Sequence, residues 1–475
     1  MKKYIIVLLT IVIMSCDDQL DLNPLSQSSV GNFYKTEADI EQAVVAAYDA
    51  LQSEGQYGQN FMFFMEIRSD NATVESPTNS SGVFGEFDLF SITPGNSVVG
   101  RAWNDCFEGI QRCNIVLNRI ESIDMDASLK SIRIGEMKFV RGLTYFNLVR
   151  LWGDVPLVIT ETEDPFDAFD VGRTSVSQIY TQIINDLSDA INALPDTQSE
   201  AGRATKGAAN TLLGKVYLTL GDYSNAETAL RNVLGKYSLQ GSYQDIFGIA
   251  NENNAESIFE IQFQSGFGSI LDGGEGSPYP NLVAPVGTGQ DLLNGVGQAK
   301  GENIPTNDLF NIYSINDQRR DVAIGSTGTI FYAKKLIAPP SADFDSDVNV
   351  IVLRYADVLL MLAEVLNEQG YVADGEAFDL LDQVRNRAGL TTALTSADLT
   401  DQSSFRDMIL NERRREFASE NHRWFDLLRT GRALEVMNAS TSVFSVGEHQ
   451  LLYPLPLSAI DAMNNPEIFP QNPGY

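Results

Sequence analysis

The chain has 475 residues, 43% of them apolar, and a formal charge of −30 at neutral pH. That apolar content is enough for a buried core and excludes a disordered composition. The charge excludes partners recognised as polyanions, nucleic acid and anionic lipid surfaces among them.

Lys2 and Lys3 precede an apolar stretch, Tyr4–Met14, about half the ~20 residues that a membrane-spanning helix needs. Residues 1–15 therefore read as a secretory signal. The stretch ends in Ile13-Met14-Ser15-Cys16, which resembles a bacterial lipobox. In that chemistry Cys16 carries acyl chains that hold the protein to a membrane. Asp17 and Asp18 resemble the acidic tag that sends such lipoproteins to the cell surface. Residues 16–32 are polar, contain Pro24, and read as an extended lipidated tether. Residues 33–475 read as one domain, in which no other apolar run approaches membrane length.

Thr36 to Gln52 carries a helical stripe of Ala38, Val44, Ala47, Tyr48 and Leu51, with Thr36 or Asp39 near its start. Region 55–100 loses that period and is rich in Ser, Asn, Gly and Phe. Helical spacing returns over Ala102–Ile123, Leu129–Trp152, Val176–Leu194 and Ala208–Tyr237. Cys106 and Cys113 fall on the first of these helices, where seven residues of rise separate them by roughly 10 Å. A disulfide needs less than about 7 Å, so they read as two buried apolar residues.

Leu213, Gly214, Tyr217, Ala226, Leu230 and Val233 reproduce a tetratricopeptide spacing, with small residues where two helices must approach closely. Gly221-Asp222-Tyr223 makes the turn between them. Arg354–Gln369 with Glu376–Arg387 forms a second, looser pair. The expected fold is mostly α: a tetratricopeptide-like helical-repeat scaffold with long irregular insertions and a few short strands, at Ser257–Gln264 and Ile330–Lys335. Region 262–349, rich in glycine and proline, is the second insertion. Loops on a rigid frame are where binding residues concentrate, so regions 55–100 and 262–349 form the candidate site.

Stacking candidates there are Tyr57, Phe61, Phe63, Phe84, Phe87, Phe267, Tyr279 and Tyr332. Hydrogen-bonding candidates are Asp70, Asn71, Glu75, Asn79, Asn281 and Asn294. Trp103, Trp152 and Trp424 fall on or beside helices and read as core. Asp343, Asp345 and Asp347 alternate superficially like a calcium loop. Its sixth position, however, is Val348 instead of glycine and its twelfth is Arg354 instead of glutamate, so a solvated acidic loop is the expectation. With two histidines, and no G-x-S-x-G, P-loop, dinucleotide or C-x-x-C motif, neither catalysis nor a cofactor is expected.

Near the C-terminus, Ile409, Arg413, Phe417, Trp424 and Leu428 share a helical stripe. Glu412, Glu416 and Glu420 interleave there with Arg413, Arg414, Arg415 and Arg423. The expectation is one amphipathic helix, stopped at Gly431, that packs its aromatic face and solvates its charges.

That stretch, Arg413–Ala433, resembles the C-terminal signature of the SusD/RagB family of outer-membrane nutrient-binding lipoproteins. Val352–Gly370, Leu381–Leu390 and Tyr453–Tyr475 resemble further family segments, in the family's order. The resemblance implies a cell-surface, lipid-anchored protein that binds oligosaccharides. It also implies a partner, a SusC-like TonB-dependent transporter, over which the protein acts as a lid. Family members often bind with loop tryptophans, and neither irregular region here contains one. A lipid-anchored helical scaffold that binds peptides or proteins is the alternative.

Cys16→Ala is expected to release the protein from the membrane and leave it folded. Membrane fractionation checks this; retention in the pellet at high salt would rule out lipidation as the tether.

Overall fold

Antiparallel helix pairs, stacked in chain order, make the frame of the computed structural model, which describes residues 33–78, 82–164, 166, 171–440 and 445–475. The signal segment, Cys16, the tether and Asn79 lie outside the described residues. Helix α1 (Glu37–Gln52) opens on a capping box between Thr36 and Asp39. Asn96 accepts from the first N–H groups of α2 (Ser97–Arg119), so helix begins earlier than its apolar period indicates. Asp126 caps α3 (Ala127–Trp152), which packs antiparallel on α4 (Val176–Ala193).

The tetratricopeptide spacing becomes α5 (Lys206–Leu220) and α6 (Tyr223–Arg231). Gly221 ends α5 in the left-handed conformation, φ 72°, where a side chain would be strained. Gly214 is required for a different reason: a Cβ there would lie 2.7 Å from Leu230 Cγ. A second pair, α7 (Tyr355–Gln369) and α8 (Glu376–Arg387), packs on the first. Cys106 and Cys113 are buried, unbonded neighbours along α2. Trp103, Trp152 and Trp424 are core residues.

Among the described residues there are three two-stranded antiparallel sheets: one joins the two insertions, one closes the base of the second insertion and one is a hairpin inside it. β1 (Ala72–Thr73) pairs with β3 (Ile304–Pro305), β2 (Ser257–Ile261) with β6 (Val350–Arg354), and β4 (Ile324–Thr327) with β5 (Ile330–Ala333).

The C-terminal stretch departs from the sequence expectation. It is two helices, α9 (Gln402–Glu416) and α10 (Arg423–Arg429), separated by a break at which Ser419 and Asn421 adopt φ 60° and 65°. The Glu66 carboxylate shapes that break by accepting the N–H groups of Ser419 (2.8 Å) and Asn421 (3.2 Å). The charges are interior. Arg354 pairs with Glu416 (2.6 Å), Glu420 (2.7 Å) and Glu256 (2.8 Å), while Arg319 pairs with Glu412 (2.7 Å) and Glu416 (3.0 Å). Arg413 binds Asp357 (2.6 Å) and Asp426 (2.8 Å). Local spacing cannot reveal this, because the countercharges that make burial tolerable come from remote segments.

Gly214→Leu is expected to destabilise the protein by about 1–3 kcal/mol or more, through overpacking against Leu230. A denaturant midpoint equal to that of the wild type would contradict the contact.

Candidate functional site

The two irregular regions meet. Beyond the β1–β3 pairing, Glu75 N–H donates to the Gly301 carbonyl (2.7 Å) and Val286 N–H to the Glu75 carboxylate (2.7 Å). Thr306 N–H donates to the Asn71 carbonyl at 2.9 Å.

The first region is mostly wall. Glu54–Gly58, Asn60–Met62 and Phe63–Ile67 form short helical turns, several of them π-type, which blurs the 3.6-residue period. Phe61, Phe63 and Phe87 are buried, and Phe84 stacks on Phe63 with centroids 4.2 Å apart. Tyr57 is interior too: its hydroxyl accepts from Asn147 (2.9 Å) and its carbonyl accepts the Tyr279 hydroxyl (3.0 Å). Asp70 is spent on Arg423, at 2.7 and 2.9 Å, and on Arg414 at 3.0 Å. Asn71 bridges Arg414 Nε and Glu66. Tyr57, Asp70, Asn71 and Tyr279 therefore do not present their side chains to a ligand. Their hydrogen-bonding capacity is consumed inside the protein, as burial requires.

Asn281 is fully buried and positions the loops above it. Its amide donates to the Gln298 carbonyl (2.9 Å), its Oδ1 accepts Phe344 N–H (3.2 Å), and its carbonyl accepts Lys300 N–H (2.9 Å). Phe344 adopts φ 57°, a region costly for a bulky residue, so the surrounding bonds are what aim its ring. Lys300 Nζ lies 5.6 Å from the centre of that ring and donates to Gln298 Oε1 at 2.8 Å.

Phe267 stands between Gly266 and Gly268, at φ 90° and 88°, and is 65% exposed. Glycine is needed at both places to bring the ring to the tip of a tight loop. The loop closes through the Gly268 carbonyl, which accepts from Glu275 (3.0 Å) and Gly276 (2.8 Å). Asp345, the residue after Phe344, accepts the N–H of Gly266, the residue before Phe267, at 2.9 Å. The two ring-bearing loops are thereby tied together.

The acidic alternation is explained by this clasp. Asp343 accepts Gln298 N–H (3.0 Å), Asp345 accepts Gly266 N–H and the Ser341 hydroxyl (2.8 Å), and Asp347 accepts Ser265 N–H (2.8 Å) and its hydroxyl (3.0 Å). Three carboxylates bonded to separate donors do not converge on a cation. Among the described residues no group of three His, Cys, Asp or Glu is placed to hold a metal. The expected solvated loop is also corrected, since Asp345 is buried.

Around this clasp the loops carry Phe267, Phe344, Gln298, Lys300 and Asp343. Beneath it, burial raises the Glu302 carboxyl to about 7, with Lys300 opposing the rise and Glu75 adding to it. Apolar ring faces beside amide, ammonium and carboxylate groups suit a ligand with alternating C–H and hydroxyl surfaces. Phe344, Gln298 and Lys300 are absent from the sequence candidates. The usable signals were an aromatic flanked by two glycines and another set between two aspartates.

Comparison with known proteins gives a consistent result. One family model, described as "Starch-binding associating with outer membrane", matches residues 18–218, and a second, "SusD family", matches 311–475. A SusD-like protein of Formosa agariphila is 28% identical over 100% of both chains. The starch-binding protein SusD of Bacteroides thetaiotaomicron is 22% identical, covering 99% of this chain and 98% of its own. Among solved structures, a laminarin-binding SusD-like protein superposes with TM-score 0.79 at 28% identity, over 93% of this chain and 100% of that one. Surface glycan-binding protein A of Bacteroides thetaiotaomicron, solved with laminarihexaose, shares the fold at TM-score 0.78 and 24% identity, over 92% of this chain and 100% of that one.

Asn281→Ala removes the keystone amide and leaves the Phe344 N–H and the Gln298 carbonyl without that partner. The expected loss is about 1–3 kcal/mol, read from denaturant melts; an unchanged midpoint would mean the loops hold without it.

Proposed function

We propose that this chain, which belongs to the SusD/RagB family, captures oligosaccharides on its loop face as a lipid-anchored protein of the outer-membrane surface. From there it passes them to a SusC-like TonB-dependent transporter. Members of this family are binding proteins, and the loop face fits that role: it offers ring faces and hydrogen-bonding groups held rigidly in advance. Pre-ordering lowers the entropy lost when a sugar stacks. The carrying observation is the Asp345 clasp, which fixes Phe267 and Phe344 on adjoining loops. A β-1,3-glucan is the ligand class to try first, because the laminarin-binding relative shares the fold at 28% identity. No helix among the described residues is long and apolar enough to cross a membrane.

Isothermal calorimetry with laminarihexaose, followed by a glycan array if it fails, tests the reading. Phe267→Ala and Phe344→Ala are each expected to weaken binding by roughly 1 kcal/mol, about fivefold. Phe267→Ala should leave the melting temperature unchanged, since the ring is exposed. Wild-type affinity in both variants would remove the loop face as the site, and no glycan bound at all would remove the function.

A further inference from the structure

We infer that Glu252, which contacts neither aromatic ring, is a positioning residue for the Phe267 loop through its bond to Asn349 N–H, and that its ionisation beside Glu260 and Asp347 loosens that loop by repulsion. The consequence for ligand affinity rests on the glycan-binding reading; the effect on the loop does not.

Asn349 is a buried hub. Its backbone N–H donates to Glu252 Oε1 (2.9 Å), and its side-chain amide donates to Glu260 Oε2 and Gln262 Oε1, each at 3.1 Å. Its Oδ1 accepts Phe263 N–H at 2.8 Å. Phe263 starts the ascent to Phe267; along it Gln264 N–H donates to the Glu275 carbonyl (2.9 Å), Ser265 to Asp347 and Gly266 to Asp345. Glu260 also accepts Asn253 N–H (3.0 Å), which brings the residue beside Glu252 onto the same hub. The neck of the aromatic loop is thus held by one amide, a set of carboxylates and one backbone bond to Glu275.

The charges facing Glu252 are nearly all negative. Glu260 on β2 and Asp347 on the clasp segment both disfavour its ionisation. Glu252, Glu260, Lys335 and Glu420 line one small cavity of about 50 Å³. Its lysine is engaged, since Lys335 pairs with Glu420 and lies 4.4 Å from the Phe247 ring centre. Glu420 is itself held by Arg354. Burial first, and then Glu260 and Asp347, raise the Glu252 carboxyl to about 7 against the pull of Asn349 N–H. The folded protein therefore keeps this proton to higher pH than the unfolded chain, whose ordinary glutamate value is 4.5. The stabilisation is complete below that ordinary value and is lost as pH rises through about 7. Ionisation then puts a further negative charge at the hub.

Hydrogen–deuterium exchange of the unliganded, full-length protein at pH 6 and pH 8, corrected for intrinsic rates, is the test. In wild type, amides of residues 263–268 are expected to lose protection about three- to tenfold at the higher pH. Glu252→Gln, which keeps an acceptor for Asn349 N–H but cannot ionise, should hold its pH 6 protection at pH 8. Glu252→Ala, lacking the acceptor, should be poorly protected at both. An equal pH dependence in wild type and Glu252→Gln, or none in wild type, overturns the inference. Laminarihexaose titrations at the same two pH values form a second arm, with weaker wild-type binding expected at pH 8 and a flat response in Glu252→Gln. If exchange behaves as expected but no glycan binds, the positioning role stands and the glycan reading falls. Glycan binding that is independent of pH in wild type would sever loop position from affinity.

Discussion

The structure depends on Glu416, a glutamate buried at the end of α9 where three arginines converge. Arg354 leads into α7 from β6, Arg387 ends α8, and Arg319 comes from the second insertion; all three reach this carboxylate. Burial opposes its ionisation, but Arg387, Arg354 and Arg319 together hold it well below the usual carboxylate range. Glu256, at the foot of β2, accepts from Arg354 and Arg387, each at 2.8 Å, and closes the cluster. Arginine suits this task because its planar fork serves several acceptors at once and stays charged when desolvated. A cluster of this kind adds little net stability compared with an apolar core. Breaking one member is costly, because it leaves a charge buried and unpaired. Its effect is therefore positional: helix repeats, the β2–β6 sheet and the second insertion can meet in one arrangement.

The same logic reaches the first irregular region. Glu66 determines the break between α9 and α10, and Asp70 receives Arg414 from one helix and Arg423 from the other. The first irregular region is thereby braced against both C-terminal helices. Asn281 and the Asp343–Asp345–Asp347 clasp extend that bracing to the loops that carry Phe344 and Phe267, with side-chain acceptors taking backbone N–H groups that no sheet satisfies.

The helical frame was legible in the sequence because its determinants are local. The α5–α6 spacing, the small residue at Gly214 and the turn at Gly221 each have a cause within one repeat. The meeting of the two irregular regions followed from the frame. Their interior was not legible, because Tyr57, Asp70 and Asn71 have the chemistry of ligand contacts and of buried cross-braces alike. Only the placement of Asn147, Arg414 and Arg423, distant in sequence, decides between these roles. The C-terminal charged stripe misled for the same reason: a belt of arginine and glutamate looks identical whether water or a remote carboxylate faces it. Phe344, half-buried, was missed because an unusual backbone conformation sets its place, which neither composition nor periodicity encodes.

The acidic excess, 63 Asp and Glu against 33 Lys and Arg, also gains a structural meaning. Many carboxylates near the loop face serve backbone N–H groups: Glu75 takes Val286, Asp343 takes Gln298, Asp345 takes Gly266 and Asp347 takes Ser265. A carboxylate is well suited to this, because a charge-assisted acceptor is stronger than a neutral one and offers two oxygens to two segments. The cost is repulsion wherever such acceptors crowd without cations, as at Glu252, Glu260 and Asp347. Arginine offsets negative charge in the interior, where the frame must be permanent. Around the Phe267 neck fewer cations are at hand, and the remaining way to relieve repulsion is to keep a proton. The frame and the loop face are thus built from the same residue types, with arginine neutralising the carboxylates around Glu416 and a retained proton relieving the repulsion around Glu252.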